Sequence, residues 1–363
     1  MIDKGINPSF TNLVLAWYRE NARNLPWRRT TDPYQIWVSE IMLQQTRVEI
    51  VIPYYQRWMD RFPTLEDLAQ AEQDEMLTYW EGLGYYRRVI NLQKAVKEVV
   101  SNYGSNLPDD PEILQQLPGI GRYTAGAISS IAFNQPAPIL DGNIRRVFTR
   151  YFNISTPLGT TESESELWKI AEELIHTEDP GTFNQALMEL GALVCLPRNP
   201  LCQGCPLEID CAARQLGIQE LRPVRKAKSP LPHYQVSAAV CLQNNRVLLT
   251  KRPLKGLLGG MWEYPGGKQE DGETLEEALQ REILEELTAK IDIGQLLGVY
   301  VHAYTHYKVT LHAFQCHLKT KNLVLNYHTD SAWVKISSLA DYPMGKIDRQ
   351  ISQLLEKTYI NQS

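Results

Sequence analysis

The 363-residue sequence has no apolar run near the roughly 18 residues that a membrane-spanning helix needs. Its start, Met1-Ile-Asp-Lys-Gly, lacks the apolar core of a signal peptide. Both absences point to a cytoplasmic protein without a membrane partner. Positive charge is not in excess either: 37 Lys and Arg against 42 Asp and Glu leave a net charge of −5. That argues against loose, tail-like binding to nucleic acid, although a local basic surface stays compatible with it. The acidic surplus lies before about residue 230, and the remainder is balanced. There is no internal repeat and no low-complexity segment. A composition of 43% hydrophobic and 22% charged residues excludes a largely disordered chain. The length exceeds what one ordinary core serves, so two domains are expected.

Cysteine is scarce but clustered. Four of the six, Cys195, Cys202, Cys205 and Cys211, follow the spacing C-x6-C-x2-C-x5-C; Cys241 and Cys316 stand alone in apolar stretches. In a reducing compartment such a cluster indicates metal ligation more than disulfides. Spacing leaves the metal open. Zinc modules usually show two close pairs, whereas only Cys202 and Cys205 are close here, and four thiolates suit zinc or an iron–sulfur cluster equally.

To about residue 190 the pattern is helical, with short amphipathic segments punctuated by Pro, Gly, Asn and Asp. A basic, Pro-rich stretch at 216–232 reads as a stiff, extended linker, either a solvated connector or a strap along phosphates. Beyond it the texture becomes α+β. Strands are expected at 235–242 and 246–251 around Asn244-Asn245, a helix at 274–287, a hairpin of 298–304 with 307–318, and a last helix at about 347–359.

Leu117-Pro-Gly-Ile-Gly-Arg-Tyr-Thr-Ala125 sits between two helical patterns. Its glycines Gly119 and Gly121 let backbone amides approach an anion, and the following helix directs its positive end there. Two carboxylates stand out. Glu40, on a helix among Ile36, Trp37 and Leu43, is either a solvated or paired side chain or a buried acid whose pKa desolvation raises. Asp141 opens a helix, as an N-cap, as an ionised group at a cleft rim, or as both. A proton donor beside a cation stabiliser is the chemistry of glycosidic cleavage.

The hairpin string resembles the helix-hairpin-helix element of DNA repair glycosylases. Together with Leu25-Pro-Trp-Arg28, Val38-Ser-Glu-Ile-Met-Leu-Gln-Gln-Thr46, Trp80-Glu-Gly-Leu-Gly-Tyr-Tyr86, Leu140-Asp-Gly-Asn143, Phe183-Asn-Gln-Ala186 and the four cysteines, it is similar along nearly the whole chain to the adenine DNA glycosylases. The resemblance implies a multidomain α and α+β protein. Residues 1–215 would form an all-α helix-hairpin-helix glycosylase domain with a cluster loop at about 195–211, 216–232 the linker, and 233–363 a Nudix-like α+β domain that recognises 8-oxoguanine. It implies a monomer acting on double-stranded DNA with A·8-oxoguanine or A·G mispairs, in a bacterial-type cytoplasm at the nucleoid. Glu40 would protonate adenine and help activate water, Asp141 would stabilise the oxocarbenium ion, and Tyr123 and Asn143 would order the site. Trp27, Arg28 and Gln185 would hold the flipped base; Gln45, Thr46, Leu83, Gly84 and Tyr85 would fill the gap in the duplex; Gly119 and Gly121 would grip the backbone. The cysteines become ligands of a [4Fe–4S] cluster, with Arg198 beside them as a phosphate partner.

Bifunctional relatives carry lysine after the hairpin arginine, as a Schiff-base nucleophile. Here Tyr123 follows Arg122, which implies a monofunctional enzyme. In the second domain Tyr304, Thr305 and His306 stand where the family usually has Phe-Ser-His. Gly267 to Glu286 also reproduces the Nudix box G-x5-E-x7-R-E-U-x-E-E, with Thr288 where glycine is usual. Glu282, Glu285 and Glu286 on adjacent helical turns could hold Mg²⁺ on a diphosphate, so the alternative function is nucleotide pyrophosphohydrolysis, against a plain solvated acidic helix.

Overall fold

The structure is a computed structural model that describes residues 9–225 and 230–359. Contacts divide the chain into two compact units, Met1–Gln70 with Asn91–Lys228, and Ala71–Ile90 with Ser229–Ser363. Among the described residues, no helix is long and apolar enough to cross a membrane.

The first unit is helical. It comprises α1 (Phe10–Asn21), α2 (Pro33–Leu43), α3 (Val48–Arg61) and α4 (Leu65–Gln70), then, past α5 (Gln73–Trp80) and α6 (Arg87–Asn102), the hairpin pair α7 (Pro111–Leu114) and α8 (Arg122–Phe133). There follow α9 (Gly142–Tyr151), α10 (Thr161–Leu174), α11 (Pro180–Leu193) and α12 (Ala212–Gln215). The helices start where the sequence signals it. Asp32, Asp110 and Asp179 cap α2, α7 and α11, each with proline as the first helical residue. One core joins α1, α9, α10 and α11 through Phe10, Phe148, Leu167 and Phe183, all within 1% of complete burial.

The expected linker is bonded to this unit as far as Val224. Leu158 donates its amide hydrogen to Val224 O at 3.0 Å, and residues Gln219–Leu221 form a 3-10 turn. The part of that linker at 226–229 lies outside the described residues.

The second unit is built on a seven-stranded mixed sheet. β1 (His233–Gln243) lies between β2 (Arg246–Lys251) and β6 (Lys308–Leu318), with β3 (Trp262–Glu263) beyond β2 and β5 (Ile291–Ala303) beyond β6; β4 (Gly266–Lys268) pairs with β1 and β7 (Asp330–Lys335) with β2. β1 and β6 run parallel, whereas β5 and β6 form an antiparallel hairpin closed by Tyr304 N–H donating to Tyr307 O at 2.8 Å. α13 (Leu275–Leu287) and α14 (Lys346–Tyr359) pack against separate cores of this unit. The segment 71–90, which sequence reading assigned to the glycosylase domain, groups here. Glu81 pairs with Arg349 at 2.6 and 2.8 Å, and Lys251 with Asp74 at 2.5 Å.

Candidate active site

α2 buries Tyr34, Ile36, Trp37, Val38, Ser39, Ile41 and Met42, so it is a core helix without a wet face. Glu40 is its one charged residue and is 4% exposed. Tyr123, in the first turn of α8, donates its hydroxyl hydrogen to Glu40 Oε2 at 2.6 Å. Burial raises the Glu40 carboxyl to about 7, and the neighbouring charge of Asp141 adds to this; the Tyr123 hydrogen bond and Arg28 pull the other way. The acid is therefore half-protonated near neutrality.

Asp141 caps α9. It accepts from Ile144 N–H at 2.7 Å and from Asn143 Nδ2 at 2.9 Å. Burial pushes its carboxyl up from the ordinary value, opposed by those hydrogen bonds and by the Arg146 charge. The cap and the cleft-rim position thus coincide in one residue. Asn143 is fixed in turn by Arg146, whose Nη2 donates to Asn143 Oδ1 at 2.8 Å and whose Nε donates to Cys195 O at 2.5 Å.

Both carboxylates line one cavity of about 650 Å³. Trp27, Arg28, Gln45 and Thr46 reach it from the segments flanking α2, Gly119, Gly121 and Tyr123 from the hairpin, Asn143 from α9 and Gln185 from α11. Gly119 has φ +82°, and an added Cβ would lie 2.8 Å from Asn91 Cβ, so this turn needs glycine. Gly121 caps α8 with open space where a side chain would stand. Gln45 is left-handed without being glycine, at φ +59°.

Sequence reading missed Glu189. It is 1% exposed on the otherwise apolar end of α11 and lines the same cavity. Burial alone would raise its carboxyl, but hydrogen bonds from Arg23 and Arg28, at 2.7–2.9 Å, hold it at about 2. Arg28 is thereby locked over the Tyr18 ring, 5.4 Å from its centroid. A lone acid on an apolar helix face was the available signal, the same one that singled out Glu40.

Leu83, Gly84, Tyr85, Tyr304, Thr305 and His306 are not brought to that cavity. They line another, of about 870 Å³, within the second unit. The hydroxyls of Tyr85 and Thr305 hydrogen-bond each other, and Tyr85 is also left-handed, at φ +48°.

Cys195, Cys202, Cys205 and Cys211 line a small cavity of about 30 Å³ in the first unit. Among the described residues no three His, Cys, Asp or Glu side chains are spaced to hold a metal ion. Arg150, 2% exposed, donates to Cys195 Sγ at 3.3 Å and to Leu196 O at 2.7 Å. Neither Arg146 nor Arg150 hydrogen-bonds a carboxylate among the described residues.

In the Nudix-like box Arg281 binds one oxygen each of Glu273 at 2.7 Å, Glu282 at 3.2 Å and Glu285 at 3.3 Å. Burial raises Glu286 to about 8. Its neighbour His328 donates instead toward Glu263, at 3.0 Å against 4.0 Å to Glu286.

Residues 38–173 match the family described as HhH-GPD superfamily base excision DNA repair protein, and residues 236–354 the NUDIX domain. The chain is 36% identical to the human adenine DNA glycosylase over 90% of its own length and 70% of that protein. It is 37% identical to the adenine DNA glycosylase of Buchnera aphidicola subsp. Schizaphis graminum, over 70% of this chain and 74% of that one. Among solved structures, a thermostable thymine-DNA glycosylase superposes with a TM-score of 0.53 at 30% identity, covering 57% of this chain and 95% of that one. An endonuclease III–DNA complex, at 20% identity and a TM-score of 0.51 over 60% of this chain and all of that one, shares the fold. The buried acid, the capped aspartate and the hairpin beside them thus stand in a chain that belongs to the adenine DNA glycosylases, base excision repair enzymes of the helix-hairpin-helix superfamily.

Proposed function

We propose that this chain hydrolyses the N-glycosidic bond of adenine mispaired with 8-oxoguanine, or with guanine, in duplex DNA and leaves the strand uncut. The observation that carries the reading is one cavity, of a size usual for small-molecule sites, holding a buried acid poised at about 7 and a second carboxylate fixed by a helix terminus. Adenine flips from the stack at a cost of a few kcal/mol, least when it is mispaired. Arg28, held by Glu189, and Gln185 then contact the base. Protonated Glu40 gives its hydrogen to a ring nitrogen of adenine, and the electron pair of the glycosidic bond leaves with the base. Ionised Asp141, oriented by Asn143, stabilises the sugar cation. Water adds to that carbon and returns its proton to the Glu40 carboxylate. Gly119 and Gly121 bring backbone amides to a phosphate.

Gln45, Thr46, Leu83, Gly84 and Tyr85 prop the gap, and Tyr304, Thr305 and His306 read the base opposite. Gln45 and Tyr85 are among ten non-glycine residues with positive φ in the described residues, and unlike the five asparagines of that set their side chains gain nothing locally from this backbone, which supports a role where strain is maintained for function. The enzyme acts as a monomer on nucleoid DNA in the cytoplasm.

The four cysteines, which line one small cavity, would hold a [4Fe–4S] cluster, the group that the resemblance to the adenine DNA glycosylases implies. Buried Arg150, which donates to Cys195 Sγ at 3.3 Å, also suits a nearby anion, which thiolate-ligated iron would provide. When bound, the cluster supplies a rigid anionic cross-link to the loop that also carries Arg198.

Single-turnover release of adenine from an A·8-oxoguanine duplex tests the reading. The parent cleaves and Glu40→Gln binds without cleaving; equal cleavage by both overturns it. Because Tyr123 cannot form an imine, borohydride should trap no protein on the DNA.

A further inference from the structure

The cavity of the second unit carries more positive charge than the turn Tyr304-Thr305-His306 accounts for. Four cations line it, Arg87, Arg88, Lys346 and Arg349, against one acid, Glu81. Arg349 already neutralises Glu81 at 2.6 and 2.8 Å. Arg88 is engaged by the carbonyls of Leu83 and Gly84 and lies over the Trp80 and Tyr85 rings. Arg87 and Lys346 are different: both are exposed, and neither makes a hydrogen bond or ion pair among the described residues. Each is the first residue of a helix, α6 and α14, where the backbone dipole disfavours a cation. Helix stability therefore does not explain them.

Lys346, Gln350 and Gln353 all line the cavity, and their spacing of four and three residues sets them in a row along α14. The other face of the helix buries Ile347, Ile351 and Leu355. The row is about 10 Å long at 1.5 Å per residue. That is about three nucleotides of one DNA strand, at about 3.4 Å each. One unpaired cation and two amide donors in a line on α14, with a second unpaired cation, Arg87, lining the same cavity from α6, on a protein of net charge −5, complement a sugar–phosphate strand.

We infer that Arg87 and Lys346 each neutralise one phosphate of the strand that carries the base opposite the excised adenine, and that Gln350 and Gln353 donate amide hydrogens to its backbone oxygens. The assignment rests on the reading of Tyr304, Thr305 and His306 as the contact to that base. It makes α14 a phosphate track continuous with the aromatic turn, and it gives an acidic protein a local grip on the undamaged-adenine partner strand.

The test is equilibrium binding of the full chain, in the Glu40→Gln background to stop turnover, to A·8-oxoguanine and A·T duplexes over a series of salt concentrations. Each neutralised phosphate contributes a slope of about 0.9 in log K against log salt. Arg87→Ala and Lys346→Ala should each flatten the slope by about 0.9 and the double variant by about 1.8, on both duplexes. Gln350→Ala and Gln353→Ala should weaken binding at unchanged slope. Lys335→Ala, whose side chain is exposed outside the cavity, is the reference, and unchanged melting temperatures exclude misfolding. Slopes for Arg87→Ala and Lys346→Ala equal to that of Lys335→Ala would overturn the inference. So would inorganic triphosphate competing with duplex for the parent but not for the double variant while the slopes stay equal, since the cavity then belongs to a free nucleotide. Loss of preference for the lesion duplex in the parent, with the slope changes intact, would instead reject the reading of Tyr304 to His306 alone.

Discussion

Tyr123 on α8 and Glu40 on α2 are 83 residues apart in sequence, yet the phenol donates to the carboxyl at 2.6 Å inside the core. The hydrogen bond lowers a pKa that burial has raised, leaving Glu40 at about 7. Adenine release needs the protonated acid. Its single-turnover rate should fall about tenfold per pH unit above pH 7, and fall again in acid as Asp141, raised by burial, takes up a proton. In Tyr123→Phe the opposing hydrogen bond is gone, so the descending limb should move to higher pH. A limb that stays in place or moves to lower pH contradicts the assignment of Glu40 as the acid. Glu40→Gln should lose about 10²- to 10⁴-fold in rate.

Glu189 holds Arg23 and Arg28 together. Its carboxyl is depressed from 4.5 to about 2 in the folded protein. A depressed acid stabilises the fold above its unfolded value, here by about 3 kcal/mol. That contribution is retained above pH 4.5 and lost as pH falls toward 2. Glu189→Gln should therefore be destabilised at neutral pH by up to about 3 kcal/mol, since two half-buried guanidiniums lose their charge partner. Its stability should also depend less on pH in the acid range than the parent's, as urea melts at several pH values would record.

Gly191 on α11 faces α9. A Cβ there would lie 2.5 Å from Asn143 Cβ and 3.0 Å from its Cα. Gly191→Ala should push Asn143 off Asp141 and cost about 1–3 kcal/mol in stability. The informative readout is the ratio of effects: adenine release should fall at least tenfold at a temperature where the variant is still folded. Stability loss with unchanged release would detach Asn143 from the site.

The cysteines are testable without substrate. The purified parent should be brown and carry about four irons, and Cys202→Ser should lose visible absorbance and melt at lower temperature. A colourless parent with one bound zinc would reject the cluster. Arg150→Met, which removes a buried cation aimed at Cys195, should make the colour more labile to oxidation.

Much of this molecule follows from local sequence. The α2 and hairpin helices, β1 with β2, and the antiparallel β5–β6 pair stand close to where periodicity and turn residues put them, because a 3.6- or 2-residue repeat reports which face is buried. β3 and β4 escaped, for two or three residues carry no usable period, and β7, as long as β2, lacks the turn signal that Asn244-Asn245 gave β2. β4 is set by packing: a Cβ on Gly266 would lie 2.2 Å from Ser237 O, so the strand can pair with β1 only because that residue is glycine.

Residue type and spacing singled out the two candidate carboxylates and the four-cysteine loop, and the resemblance to a known family added their roles and the tyrosine that stands where bifunctional relatives carry lysine. Only the tertiary structure decided that Glu40 is dry enough to hold a proton, that Glu189 clamps Arg28 from 161 residues away, and that Leu83 to Tyr85 line one cavity with Tyr304 to His306. Desolvation and charge pairing depend on what surrounds a group in three dimensions, and those neighbours come from distant parts of the chain that no local pattern encodes.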